Sequence, residues 1–364
     1  MLQKWKQGFS EFQKKYETRL DVLFFIGGFT FDAFMVSEVD EPLAIAQQFF
    51  YLFIIAILIH YEILFRMLKW RPEGYWIKFW NYRNLLIHFL LGTLLNIYSL
   101  FYIKSSSFIN SIIFLLLMSA GLLANELPFV KKSKVSIKVG LFSICLLSFF
   151  SIIYPLILGF IGWTPFALAV ATTLAFFYVQ IRWLQKTVLD SKVLFGALLF
   201  PGCSVLLVFS FFYWMGWVPP IPLSTKTQGV YHLIEKKDGD YLLSTEKVWW
   251  KFWQSGDQDF LSEPGDKIYF YAQIFSPARI SGDVFIHWFY KDTKNSWQSA
   301  DRIPLKIVGG RKEGYRGYAI KANYQPGSWR VQVETPSGQE ISRLSFSVTS
   351  VEKNENRTFQ VIKL

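Results

Sequence analysis

Residues 131–163 read KKSKVSIKVGLFSICLLSFFSIIYPLILGFIGW, and this stretch decides the fold class of the chain. From Val139 to Phe160 it has 22 consecutive residues without a charged side chain, and about 20 apolar residues let an α-helix cross the hydrocarbon core of a bilayer. Four lysines precede the apolar run, and Trp163 follows it. Basic residues mark the cytoplasmic end of a span, and tryptophan marks a membrane interface. The stretch therefore predicts a membrane-spanning helix that starts on the cytoplasmic side.

Similar apolar segments recur along the first 218 residues. Seven predicted spans lie at 20–37, 43–65, 84–103, 107–127, 139–160, 164–183 and 193–217. The first is the weakest, because it contains Gly27, Gly28 and Asp32, and a re-entrant element is the alternative interpretation. A composition that is 52% hydrophobic and 19% aromatic agrees with a membrane protein.

Lys and Arg alternate between the connections that join these segments. Seventeen basic residues lie in the connections of one side, at 1–19, 66–83, 128–138 and 180–192. Only Lys104 lies in those of the other side, near 37–42, 103–108 and 160–165. The side rich in Lys and Arg is normally cytoplasmic. Seven crossings would leave the N-terminus inside and everything after residue 218 outside, whereas a re-entrant first segment would put the C-terminal region in the cytoplasm.

The basic excess is therefore read mainly as an orientation signal. The net charge of +11 splits into +7 for residues 1–218 and +4 for the remainder, and basic loops at a lipid surface explain it better than a nucleic-acid partner. Residues 1–19 combine aromatic and basic side chains at helical spacing, which predicts an amphipathic helix on the cytoplasmic lipid surface. The two cysteines, Cys145 and Cys203, lie in apolar segments, so the external region must fold without disulfides.

The sequence period changes after Pro219, Pro220 and Pro222. From there apolar and polar residues alternate, as in Trp329 to Glu334, and turn signals such as Pro326-Gly327 separate the runs. The other predicted strands lie at 230–234, 248–253, 268–275, 284–289, 303–308, 315–320 and 344–348. This spacing predicts an all-β, immunoglobulin-like sandwich at 230–364, joined by a linker at 219–229 to a seven-helix domain at 20–218.

Several short motifs carry a resemblance to a known family. In the C-terminal region they are His287-Trp288, Gly310-Arg311, Gly314-Tyr315-Arg316, Lys321, Pro326-Gly327, Trp329-Arg330-Val331, Val333-Glu334-Thr335, Gly338 and Leu344 to Phe346. In the helical region they are Gly27-Gly28-Phe29 with Asp32, His88 with Gly92, Phe101-Tyr102 with Lys104-Ser105, and Asn125-Glu126. Together they resemble the bacterial DUF2914 family, although Ala319 stands where a hydroxyl residue is expected. The resemblance implies the two-part architecture and supplies no catalytic residue, since the family's function is unknown.

Polar side chains inside the predicted spans are the first candidates for a functional site, because ionisable groups in a membrane usually face the bundle interior. They are Asp32, His60, Glu62, His88, Asn96, Lys104, Asn125 and Glu126. His60 and His88 are expected at similar depth and could face each other, with Glu62 and Asn125-Glu126 nearby. Interhelical hydrogen bonding with a local Glu62–Arg66 pair is one interpretation, and a proton-linked or ion-linked pathway is the other. Asp32 and Lys104 are predicted to pair near the outer side.

The external region offers two candidate binding surfaces. A strand at 248–253 would place Trp249, Lys251 and Trp253 on one face, as a platform for sugar rings, lipid headgroups or the outer helix ends. A basic surface is predicted from Arg311, Lys312, Arg316 and Lys321 around one hairpin, and Arg330 alternates away from Trp329. An anionic lipid headgroup or cell-wall polymer is one expected partner, and a solvated face offset by acidic residues is the alternative. His287, Trp288 and Trp329 complete the candidate set.

No catalytic motif or metal-ligand spacing is recognisable in the chain. It has no G-x-S-x-G elbow, H-E-x-x-H helix, P-loop or Rossmann fingerprint, and its four histidines are scattered. No cofactor, metal or nucleic-acid partner is expected. The sequence indicates a multi-pass protein of the bacterial inner membrane whose periplasmic β domain binds a ligand, with membrane lipid and an envelope protein, lipid or glycan as partners. A transporter or lipid-handling protein is the alternative.

Overall fold

The computed structural model describes residues 39–127, 130, 134–188, 191–277, 282–307, 314–353 and 357–364. The described chain divides into two compact units. The first holds the described residues up to Ile103, together with Ile112–Tyr154 and Phe166–Val218. The second holds Lys104–Ser111, Pro155–Pro165 and Pro219–Leu364.

Helices account for most of the described residues before the β region. They are α1 Pro42–Arg66, α2 Trp76–Asn81, α3 Arg83–Lys104, α4 Phe108–Glu126, α5 Val135–Leu158, α6 Trp163–Gln185, α7 Ser191–Leu194 and α8 Phe200–Trp214, with a π-helical turn Phe195–Leu199 joining α7 to α8. Among the described residues, six helical segments are long and apolar enough to cross a membrane: α1, α3, α4, α5, α6 and the continuous run Lys192–Trp214. The second to seventh predicted spans are thus confirmed as apolar helices. The first, at 20–37, lies outside the described residues.

The interior of the first unit is formed mainly by α3 and α5. In each of these helices 61% of the most apolar 18 residues are buried, against 28–39% in the other four candidate spans. Buried side chains recur at intervals of three or four residues, as expected for the inward face of a helix. They include Ile87, Leu91 and Leu94 on α3 and Phe142, Cys145 and Phe149 on α5.

One predicted boundary is wrong by four residues. The stretch 128–138 is expected from the sequence to be a basic loop, but α5 already begins at Val135 and includes Lys138. Lys138 is fully buried, because a carboxylate on another helix neutralises it. This lysine therefore belongs to the interior of the helical unit and not to a lipid-facing connection.

Eleven strands lie in the described part of the second unit. They are β1 Ser224–Tyr231, β2 Leu233–Lys237, β3 Asp240–Thr245, β4 Asp259–Ser262, β5 Ile268–Phe275, β6 Gly282–Lys291, β7 Trp297–Ile307, β8 Tyr315–Lys321, β9 Gly327–Glu334, β10 Glu340–Ser350 and β11 Gln360–Lys363. They form sheets of order β1-β5-β8, β4-β10-β9-β6-β7 and β11-β3-β2. The first strand begins inside the range predicted as a linker.

The alternation of apolar residues explains which side of the five-stranded sheet is core. Trp288, Val331 and Phe346 are buried, and the Trp288 ring meets Phe270 of the three-stranded sheet β1-β5-β8 with centroids 6.2 Å apart. The intervening residues, such as His287 and Arg330, lie on the opposite side of the strands. That opposite side, which we call the outer face, carries the polar candidates of the β region.

Segment 248–253 is not a strand, so that prediction is wrong. Backbone hydrogen bonds from Lys251 N to Val248 O (3.1 Å) and from Gln254 N to Lys251 O (3.0 Å) fold it into consecutive turns. Its aromatic composition suited a strand, but Lys251 forms an ion pair with the following strand, and the rings on either side of it stay exposed. We call residues 248–253 the aromatic loop.

Candidate functional sites

A buried ionic cluster links three helices of the first unit. The Lys138 Nζ atom of α5 lies 2.7 Å from Glu62 Oε2 and 2.9 Å from Glu62 Oε1 of α1, and 2.6 Å from Asn84 Oδ1 of α3. Both charged side chains of this pair have no exposed surface. Arg66 donates to Glu62 Oε1 at 2.8 Å from one turn away, which is the local pair expected from the sequence. Lys138 itself was missed, because it follows a basic run that resembles a loop.

A second polar contact joins α3 to α4. Asn125 Nδ2 donates to the His88 carbonyl oxygen at 2.9 Å, and its Oδ1 lies 2.8 Å from His88 Nδ1. Gly92 makes room for this contact, since a Cβ there would lie 3.0 Å from Asn125 Nδ2 and 3.2 Å from Glu126 Oε1. The absence of a side chain at Gly92 thus allows two helices to approach closely and share a buried amide.

Glu126 adjoins the second of these contacts, since its Oε1 atom accepts from Asn125 Nδ2 at 3.3 Å. His60 lies on α1, and Asn96 and Lys104 lie on α3. The His60 ring packs against Trp183 of α6 at 4.3 Å between centroids, so the two histidines contact different helices instead of pairing. Asn96 is half-buried on α3, and Lys104 is exposed at its end. Asp32 lies outside the described residues, so its predicted pair with Lys104 stays a prediction.

The aromatic loop presents large apolar side chains at the surface of the second unit. Trp249 is 86% exposed, Phe252 83%, Trp253 60% and Trp250 50%. Lys251 is held by an ion pair with Asp259 at 2.7 Å, and this hydrogen bond, with another from Gln254, lowers the pKa of the Asp259 carboxyl. Lys251 is therefore held by an ion pair while the four rings of this loop are exposed, which is the pattern of a binding surface.

A groove lies beside this loop on the outer face of the five-stranded sheet. Its volume is about 450 Å³, within the range of small-molecule sites. It is lined by Trp253, Gln254, Gln258, Asp259, Lys291, Trp297, Ser328, Trp329, Ser345, Phe346 and Ser347. Of the predicted binding residues, Trp253 and Trp329 take part in this lining. Trp329 is almost wholly buried, as is Trp288, so these two indoles chiefly form core.

The structure places the described members of the predicted basic surface on two sheets. Arg316 lies on β8 of the three-stranded sheet and donates to the Gly239 carbonyl oxygen at 3.2 Å. Arg330 lies on β9 of the five-stranded sheet, with its guanidinium 3.9 Å from the centre of the Trp297 ring. Strand pairing thus assigns Arg316 and Arg330 to different sheets. Lys321 lies on β8 with Arg316 and is buried, where it forms an ion pair with Asp301. Arg311 and Lys312 lie outside the described residues.

His287 forms a hydrogen-bonded chain across three strands of the outer face. Its Nε2 atom lies 2.7 Å from Ser299 Oγ on β7, and its Nδ1 atom lies 3.2 Å from Glu334 Oε1 on β9. Arg302 donates to the same Glu334 oxygen at 2.5 Å. Glu334 is therefore shared by two partners, and the chain ties the edge strand β7 to the centre of the sheet.

Another polar cluster surrounds His232, which lies between β1 and β2. It was not predicted from the sequence. Arg357 donates to Glu246 Oε1 at 2.5 Å and to Asp266 Oδ2 at 2.7 Å, and its guanidinium lies against the His232 ring. Burial and the nearby Arg357 charge lower the pKa of His232 to about 4. Burial raises the pKa of Asp257 to about 6, although Thr245 donates to its carboxylate at 2.7 Å. The members are far apart in sequence, and no spacing signal could have united them.

These features define the class of the chain. In the part of the chain that the structure describes, six apolar helices followed by a β-rich region fit a multi-pass membrane protein with a C-terminal β domain. Residues 282–348 match the model of a family described as "Protein of unknown function (DUF2914)", so the chain carries a DUF2914 domain in its C-terminal region. This confirms the resemblance there. The match spans β6 to most of β10 and therefore includes much of the outer face.

The other comparisons add little. No curated protein matches the chain. A solved structure described as Pseudomonas fluorescens alkylpurine DNA glycosylase AlkC bound to DNA containing an abasic site analog shares 10% sequence identity over 85% of this chain and 82% of that one. The TM-score of 0.20 is too low for that likeness to bear on the fold or function of this chain.

Proposed function

We propose that this protein is a bacterial inner-membrane protein that acts by binding, through a β domain held outside the cytoplasm. The observation that carries the proposal is the contrast between the two units. In the first, Glu62 bonds to Lys138 and His88 to Asn125 inside the bundle. In the second, the aromatic loop and its neighbouring groove are open to a partner. A sensor, an assembly factor and an envelope scaffold are all binding roles of this kind.

Two observations support the proposed topology. The connections poor in Lys and Arg are those predicted to lie outside. Two of them, near 103–108 and 160–165, fall in the same compact unit as the β strands, which includes Lys104–Ser111 and Pro155–Pro165. Within that unit Ser107 donates a hydrogen bond to Glu340 of β10. This grouping favours an external β domain. The proposed architecture has seven crossings, one of them at 20–37, and an immunoglobulin-like sandwich as the β domain.

Cysteine labelling tests the topology. In a Cys145→Ser, Cys203→Ser background, a single cysteine replacing Trp249 should react with a membrane-impermeant maleimide in intact spheroplasts, because Trp249 is 86% exposed. The control is a cysteine replacing Tyr75, which is 94% exposed and lies in a basic connection. It should react only after lysis. The reverse pattern would place the β domain in the cytoplasm.

Photo-crosslinking in living cells tests the binding role. A photoreactive residue replacing Trp253 should yield adducts whose chemical class is read by glycan digestion, protease digestion or lipid extraction. The matched control replaces Glu235, an exposed residue of β2 that does not line the groove. Adducts confined to the protein's own chain at both positions would contradict a binding function for this surface.

The buried pair of Glu62 and Lys138 favours a second candidate, a transporter or lipid-handling protein. Ionisable groups inside spans commonly mark ion pathways, and this pair connects α1 to α5. In that case Glu62→Gln should abolish movement of an ion or lipid across reconstituted vesicles. The aromatic-loop variants should leave that movement unchanged.

A further inference from the structure

The groove on the outer face combines a flat aromatic wall with neutral hydrogen-bonding groups. Trp253 forms part of the wall and keeps 60% of its surface exposed. Trp250 and Phe252 meet its ring at interplanar angles of 61° and 80°, so these contacts brace the indole without a parallel stack. A rigid, exposed indole offers a large amphipathic surface at little entropic cost.

Serine hydroxyls lie on the floor of this groove, and one of them, Ser347 Oγ, already donates to the Gln258 carbonyl oxygen at 3.5 Å and keeps its acceptor lone pairs for a ligand. Ser347 of β10 and Ser328 of β9 are directly opposite in the strand register, which places their Cβ atoms about 5 Å apart. Ser345 lies two residues along β10 on the same side of the sheet and is exposed. Each hydroxyl is both a donor and an acceptor. The array therefore suits a ligand that itself carries several hydroxyl groups.

Gln258 adds an ordered amide at the edge of this array. Its Nε2 atom donates to the Ser345 carbonyl oxygen at 2.8 Å, and its Oε1 atom accepts from Ser255 N at 3.0 Å. These two bonds fix the orientation of the amide and leave one N–H and one oxygen lone pair for a ligand. Preorganisation of this kind reduces the entropy lost on binding.

The charges of the groove argue against an anionic ligand. Among its lining residues Asp259 is the one acidic side chain and Lys291 the one basic side chain. Asp259 forms an ion pair with Lys251, which does not itself line the groove. A lipid phosphate or anionic polymer is normally held by clustered Arg and Lys, and this lining has no such excess.

We infer that the groove binds a neutral glycan, with a sugar ring stacked on Trp253 and its hydroxyls bonded to Ser328, Ser345, Ser347 and Gln258. The inference rests on the proposed binding function and specifies the ligand class. It assigns the recognition role to Trp253 within the aromatic loop, while Trp249, which does not line the groove, stays outside the site.

Titration of the full-length protein in nanodiscs tests this site. The probes are the tetramers of N-acetylglucosamine and of glucose, with glycerol 3-phosphate as an anionic headgroup fragment. One tetramer should bind saturably, and Trp253→Ala should weaken its binding roughly tenfold. Glu235→Ala, at an exposed residue of β2 that does not line the groove, should leave the binding unchanged. Ser345→Leu, which fills the floor without altering the wall, should weaken it as well, provided that the variant keeps the wild-type unfolding transition.

The outcomes separate the glycan site from the broader proposal. Failure of both tetramers to bind, or equal weakening by Glu235→Ala and Trp253→Ala, overturns the glycan site. If glycerol 3-phosphate binds instead, or if crosslinks at position 253 identify a protein or lipid, the binding function stands and the ligand class is wrong. If no probe binds and the crosslinks stay within the chain, both proposals fall.

Discussion

Replacing Lys138 should destabilise the helical unit more than replacing any exposed lysine. In Lys138→Met, Glu62 would keep its negative charge in a site with no exposed surface, and Arg66 would be its one remaining cationic partner among the described residues. In Glu62→Leu, the Lys138 ammonium would keep the Asn84 side-chain oxygen, 2.6 Å away, but no carboxylate of the described chain. Lys138→Met thus leaves the buried Glu62 with Arg66 alone, and Glu62→Leu leaves the buried Lys138 without a carboxylate partner.

The expected magnitudes follow from that geometry. Breaking a buried ion pair by removing one partner costs ~3–5 kcal/mol, whereas replacing both charges by apolar side chains is often close to neutral. Arg66 is 43% exposed, so water can solvate it when Glu62 is absent, and this part of the change should cost below ~1 kcal/mol. We expect ~3 kcal/mol for Lys138→Met, ~4 kcal/mol for Glu62→Leu, and less than either for the double variant.

Equilibrium unfolding of the purified protein in mixed micelles, with the double-mutant cycle completed, measures these differences. Lys69→Met is the matched control, since Lys69 is exposed and the change should stay within ~0.5 kcal/mol. If the two single costs simply add in the double variant, the ion pair contributes no coupling and the reasoning is refuted. A Lys138→Met variant as stable as Lys69→Met would refute it as well.

Four other substitutions test the fold around the polar clusters and the close backbone contacts. Asp257→Asn removes the raised pKa of Asp257 and keeps the lowered pKa of His232 (about 4, against 6.5 when unfolded). Stability that is fully present above pH 6.5 should therefore decrease by ~3 kcal/mol as the pH falls to about 4. In His232→Gln the raised pKa of Asp257 remains (about 6, against 3.8), so stability should instead rise by ~2 kcal/mol as the pH falls from about 6 to about 4. Denaturant titrations across this range check both signs, and pH slopes of the same sign in the two variants would contradict the two pKa shifts. Gly256→Ala should destabilise the β domain by more than ~1 kcal/mol, because Gly256 has φ +73° and a Cβ there would collide with the Val230 backbone; a thermal transition unchanged from wild type would contradict this. Gly92→Ala should cost ~1–3 kcal/mol by displacing the Asn125 amide. The control is Gly140→Ala, because a Cβ at Gly140 would meet no atom within 4 Å. If the two variants have the same melting temperature in detergent, the helices do not pack closely at Gly92.

Much of the helical architecture could be predicted from single segments. A run such as 139–160 must bond its own backbone groups in lipid, and only a helix does so within one segment. The start of that helix was harder to place. Val135 to Lys138 carries a lysine, which belongs in water unless a carboxylate lies within reach, and the partner Glu62 is 76 residues away.

In the β region, too, local features could be predicted from the sequence and long-range contacts could not. Alternation in Trp329 to Glu334 predicted both the strand and its buried side, because a strand exposes every second residue to one face. The aromatic loop has no such alternation, since rings occupy both parities from Trp249 to Trp253. Its turns are accompanied by an ion pair to Asp259 that composition does not reveal.

The sequence by itself therefore determined which segments meet lipid, which strands have a buried side, and that a DUF2914 domain lies in the C-terminal region. These properties depend on whether each residue faces lipid, water or the protein interior. The local hydropathy and its period indicate that preference. Only the tertiary structure decided that Lys138 pairs with Glu62, that Arg316 and Arg330 lie on different sheets, and that Trp253 borders a groove with Ser328 and Ser345. Those relations depend on which strands and helices become neighbours, because contacts are made in space between residues that no local pattern connects.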